Sequence, residues 1–152
     1  MELLLQEIQK LSKILDINKI LADVFSDSEL QLNIIDKIRY DQLFKDGVSE
    51  ENVRLGSYSP YTIQIKESKG QPYDHITLKD TGDFYNSMKI AVFDTYILIN
   101  AEGEKTDESG ETKDLFVVYN YAGNLLGLTD TNMDWLIKRI KTPIIERIEA
   151  AL

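Results

Sequence analysis

Apolar residues recur at Leu4, Ile8, Leu11 and Leu15 and then drift through Ile17, Leu21 and Val24, the three-to-four spacing that turns one side of an α-helix toward a core. This predicts a first helix. Ser26, Asp27 and Ser28 offer N-cap oxygens ahead of Leu30, Ile34 and Ile38, so a second helix is expected to run to about Lys45 and stop before Gly47. The pattern changes at Gly56–Pro60, which is turn material, and Tyr61 to Lys66 alternates apolar with polar in the manner of a half-buried strand. Asp80 or Thr81 is placed to cap a short helix over Asp83 to Met88, with Gly82 easing the turn. Lys89 to Phe93 and Tyr96 to Asn100 are β-branched and aromatic and predict two strands turning at Asp94 and Thr95. Residues 101–113 hold acidic side chains and glycines with no apolar side chain beyond Ala101, which predicts a mobile, exposed loop. Leu115 to Tyr121 suits a strand or a short buried helix equally. Thr129 then caps a last helix through Met133, Leu136, Ile137 and Ile140, and Pro143 fits the first position of a continuation carrying Ile144, Ile148 and Leu152.

These elements make a single α+β domain over residues 1–152: a helical N-terminal part at 1–46, a small mainly antiparallel sheet with a short helix at 56–121, and a long C-terminal helix at 129–151 packed on it. A chain of this length hides roughly two thirds of its unfolded surface, enough for one core. No cysteine is present, which removes disulfides, thiolate metal sites and a cysteine nucleophile. The N-terminal stretch carries Glu2, Glu7 and Lys10 on its polar face, so it reads neither as a signal peptide nor as a membrane span, and synthesis is expected in the cytoplasm. The net charge of −9 argues against nucleic-acid binding, which draws on Lys and Arg against phosphates.

Catalytic patterns are sparse. His75 is the one histidine, leaving a His-centred triad dependent on a residue in a polar loop. The acidic loop with Glu102, Glu104, Asp107, Glu108 and Glu111 lacks calcium-loop spacing. No cofactor, metal or catalytic residue is assigned. The sharpest enzyme-like signal is Asp80-Thr81-Gly82, the triplet with which a dimeric retroviral-type aspartic protease presents paired carboxylates. Here Lys79 precedes it and Asp83 adds a charge where those proteases place a small residue. A third option is a small acidic binding module.

Read as a whole, Ile76-Thr-Leu-Lys-Asp-Thr-Gly-Asp-Phe-Tyr-Asn-Ser-Met88 resembles a motif of the bacteriophage virion-morphogenesis, or tail-completion, family, with Leu78, Thr81, Gly82, Phe84 and Ser87 in the motif positions. The stretch Asn124-Leu-Leu-Gly-Leu-Thr-Asp130, containing Gly127 and Thr129, is similar to the segment before that family's last helix. Upstream, Gln42-Leu-Phe-Lys-Asp-Gly47 and Gly56-Ser-Tyr-Ser-Pro-Tyr-Thr62 are also similar. The likeness spans about residues 40–152 and leaves the first helix uncovered. It implies a structural neck or head–tail connector protein of a virion, made in the host bacterial cytoplasm. Such a protein assembles as a homo-oligomeric ring with neighbouring portal, head-completion or tail proteins, contacts no membrane and reads no nucleic-acid sequence. On this view Asp80 or Thr81 caps the short helix, Gly82 lets the backbone turn and Phe84 packs inward, and the acidic loop is one place for contacts between neighbours.

Overall fold

The computed structural model describes every residue except Glu108, and every side chain except those of Glu108 and Ile14. Its class is α+β. The first apolar run forms two helices, not one: α1 (Glu2–Ile14) and α2 (Ile17–Phe25). The break falls where Asp16 turns extended and its carboxylate accepts the Lys19 N–H, so an N-cap interrupts a pattern that periodicity alone carries through. Asp27 caps α3 (Ser28–Asp36) in the same way. The chain continues without a break as a π-helix over Lys37–Asp46, an unusually long run of a rare conformation. Gly47 ends it at φ 63°, and a Cβ there would lie 2.8 Å from the Ile76 carbonyl oxygen, so both backbone angle and space demand glycine.

The largest departure from the pattern is at residues 61–66. The segment expected as a strand is a helix, α4 (Pro60–Ser68). Ser59 accepts the Thr62 N–H and Pro60 takes the first helical position, and these local signals outweigh an alternation whose apolar members stay largely outside. Tyr61 and Ile65 are exposed, while Lys66 is buried.

After α5 (Asp83–Asn86), β1 (Lys89–Val92) and β2 (Ile97–Asn100) pair antiparallel, with Ile90 opposite Ile99 and the turn at Asp94 and Thr95. The acidic segment is not an irregular loop. It forms a second hairpin, β3 (Glu104–Thr106) and β4 (Thr112–Asp114), in which Lys105 faces Lys113 and Thr106 faces Thr112. Leu115 to Tyr121 resolves as a short helix, α6 (Leu115–Val118), followed by a 3-10 turn at Asn120–Ala122. The last helix, α7 (Asp130–Ala151), runs straight through Pro143 without restarting there.

The core gathers Val24, Leu30, Ile34, Ile38 and Leu43 from the N-terminal helices with Leu55, Phe84, Tyr85, Met88, Leu125 and Leu136 from the rest of the chain. Each such side chain is worth roughly 1.5–3 kcal/mol of burial. Helix α3 lies against β1, and α7 lies against α2. By contrast, every described side chain of α1 is exposed. Among the described residues no helix is long and apolar enough to cross a membrane.

Candidate functional site

The residues singled out around Thr81-Gly82 come together in one turn. Its foundation is the segment 77–79, where Leu78 adopts φ 59°, a left-handed angle that a branched side chain resists. Side chains hold that conformation from every direction. The Thr77 N–H donates to the Tyr58 hydroxyl at 3.0 Å, and the Tyr85 hydroxyl donates to the Thr77 carbonyl. The Lys79 N–H donates to the Thr77 hydroxyl at 3.1 Å, and the Lys66 amine donates to the Lys79 carbonyl at 3.3 Å. Burial, with Tyr58 and Tyr40 adding to it, pushes the Tyr85 phenol far above its ordinary range, so it stays a neutral donor. The Lys79 amine lies over the rings of Phe44, Tyr40 and Tyr85 at 5.3, 5.8 and 5.8 Å.

Past this segment, Gly82 takes φ 90° and serves as the N-cap of α5. The Thr81 hydroxyl accepts the Asp83 N–H at 3.3 Å. Asp80 does not cap: its carboxylate is exposed beside the Lys69 amine, 3.7 Å away, and within reach of Gln71. Phe84 is buried edge-on to Phe116, with ring centres 5.9 Å apart. Ser87 donates to the Phe84 carbonyl and accepts the Glu102 N–H at 2.9 Å, tying α5 to the segment between β2 and β3. Gly82→Ala is expected to lower stability by about 1–2 kcal/mol, because the left-handed angle is costly for any L side chain. The cost is of backbone origin, since a Cβ would have room, its nearest neighbour being the Asn86 amide nitrogen at 3.6 Å. Chemical denaturation reads this directly.

No family model, no curated protein and no solved structure matches this chain. The site therefore rests on its own geometry.

Gly127 and Thr129 belong to a different cluster, organised by a residue that the pattern did not single out. Gln42 is buried on the π-helix. Its amide oxygen accepts the Thr129 N–H at 2.9 Å and an Asn132 amide N–H at 2.8 Å, and its amide nitrogen donates to the Gly127 carbonyl at 2.8 Å. Thr129 caps α7 through Asn132. A side chain at Gly127 would run into that of Glu50. The available signal was a glutamine at the next four-residue step after Ile34 and Ile38 on the core-facing stripe, since a buried amide requires partners. Beside this node lies an open groove of about 700 Å³, rimmed by Asp41, Asp46, Glu50, Glu51 and Asp130.

Among the acidic-hairpin residues, Glu102, Glu104, Asp107 and Glu111 are exposed, and Glu108 lies outside the described residues. Asp107 builds the turn, accepting the Ser109 hydroxyl and the N–H groups of Ser109 and Glu111. The Ser109 hydroxyl, ahead of the Glu111 N–H, holds the Asp107 carboxyl below the ordinary carboxylate range. This contribution is complete above that range and fades as pH falls through the lowered value. His75 joins two segments: its Nε2 donates to the Phe44 carbonyl, and the Asp74 carboxylate lies 2.8 Å from Nδ1.

Proposed function

We propose that this chain is a structural protein of a tailed-bacteriophage virion that joins head and tail by oligomeric assembly, in a neck or tail-completion position. Its partners are further copies of itself in a ring and the neighbouring portal, head-completion or tail proteins. The observation that carries the reading is α1. Leu3, Leu4, Leu5, Ile8 and Leu11 are all between 42 and 78% exposed, although Leu4, Ile8 and Leu11 line up on one face at the spacing of a helix–helix seam. A helix of 13 residues is marginal in water without a packed face, since isolated helices shorter than about 12–15 residues barely hold. Such a face suits another chain. Because α1 lies outside the stretch that resembles the phage family, the two supports are independent.

The test is mass in solution. Sedimentation of the purified protein is expected to give a closed oligomer of fixed copy number, and L4Q/I8Q/L11Q is expected to give a monomer. The variant should keep a cooperative unfolding transition, because these side chains add nothing to the chain's own core, and its midpoint should fall only by what association contributes. A wild-type protein that stays monomeric, alone and when mixed with head and tail proteins of a tailed phage, rules the reading out.

A further inference from the structure

A lysine-lined cleft lies beside the Thr81-Gly82 turn, in a chain whose overall charge is −9. It has a volume of about 380 Å³ and takes Lys66 and Lys69 from α4 and its end, Lys79 from the strained segment, and Lys105 and Lys113 from the β3–β4 hairpin. Among the described residues Asp80 is the sole carboxylate of its lining, and Lys69 already faces it at 3.7 Å. Tyr58, Tyr119, Leu78 and Leu115 supply less polar walls.

Three of these lysines are placed where no carboxylate among the described residues pairs with them. Lys66 is only 7% exposed, yet its amine meets a carbonyl and the face of Tyr58 at 4.8 Å instead of a carboxylate, whereas a buried charge ordinarily needs a counter-charge. Lys105 and Lys113 stand directly opposite each other across the hairpin, an arrangement that is unfavourable for like charges. Among the described residues neither forms an ion pair. A multivalent anion seated in the cleft would neutralise both defects at once.

We propose that this cleft is a binding site for a small phosphate-bearing anion with more than one negative charge, held by Lys66, Lys69, Lys105 and Lys113. The apolar and tyrosine walls leave room for an organic portion of the ligand. Leu78, forced into its left-handed angle, forms part of the floor, in keeping with the tendency of backbone strain to collect at ligand sites. The cleft shares no lining residue with the acidic groove at the start of α7, and the inference does not depend on the assembly role.

Titration calorimetry at low salt, with inorganic triphosphate and with ATP as probes, tests it. One molecule is expected to bind per chain. Equal affinity for the two probes means that the phosphates suffice, and tighter binding of ATP means that the walls contribute; both support the site. K105Q/K113Q is expected to weaken binding by about tenfold or more, as the loss of two charge-assisted hydrogen bonds implies, while retaining a cooperative unfolding transition. Asp80→Asn is expected to tighten binding, since it removes a carboxylate from the lining and frees Lys69. No binding of either probe at millimolar concentration overturns the proposal, and so does binding that ignores both variants. Tighter binding of a single-stranded oligonucleotide through the same lysines overturns it as well, by making the cleft part of a nucleic-acid track.

Discussion

Gln42→Leu is expected to lower the stability of the fold by about 3–5 kcal/mol, because it strands two buried polar groups and one part-buried one at roughly 1–3 kcal/mol each, less the gain from an added apolar side chain. The groups are the Thr129 N–H, the Asn132 amide and the Gly127 carbonyl, all of which meet this one side chain across more than eighty residues of sequence. Leucine fits the volume but offers neither donor nor acceptor. The loss is a large share of the 5–15 kcal/mol that typically holds a domain, so urea denaturation followed by circular dichroism will show it clearly. Gln42→Glu separates the two halves of the interaction. It keeps the acceptor for Thr129 and Asn132 but sets a carboxylate against the Gly127 carbonyl, so its deficit should shrink as the solution is acidified. A cost below about 1 kcal/mol for the leucine variant would show that the node is wet or replaceable.

Phe84→Ala is expected to cost about 3–5 kcal/mol, the usual range for emptying a buried aromatic site. Phe84 is 1% exposed and touches both Tyr85 and Phe116, so its removal unseats α5 from α6 and loosens the turn that Gly82 begins. Asp80→Asn, two residues before Gly82, should leave the unfolding midpoint nearly unchanged, since an exposed ion pair such as Asp80–Lys69 is worth little. The contrast between the two variants separates a packing role for the motif from a chemical one. A large stability loss from Asp80→Asn, with Phe84→Ala mild, would reverse that assignment.

Where a residue announces its own local conformation, the chain was legible. Asp27 and Thr129 stand as caps, Gly47 stops a helix, and the β1–β2 pair turns where Asp94 and Thr95 interrupt two β-branched runs. At two places a capping residue overrides the periodicity. Asp16 splits α1 from α2, and Ser59 with Pro60 starts a helix in an alternating stretch. The acidic hairpin had no apolar signal to give, because it is built on backbone pairing, a Thr106–Thr112 hydroxyl contact and the Asp107 turn. Pro143 sits inside α7 although its ring removes one rung of the ladder. Of the candidate site, the glycine turn and the inward Phe84 were visible in the motif. Gln42 and the lysine cleft were not, since both are assembled from segments far apart in the chain.

The break at Leu15–Asp16 has a practical consequence. Asp16, Lys19 and Asp23 share a surface depression with Arg147, Ala150 and Ala151, so the root of α1 emerges next to the far tip of α7. An affinity tag or fluorescent reporter fused at Leu152 would therefore crowd the helix on which association is proposed to depend, and would report a smaller particle than the untagged protein forms.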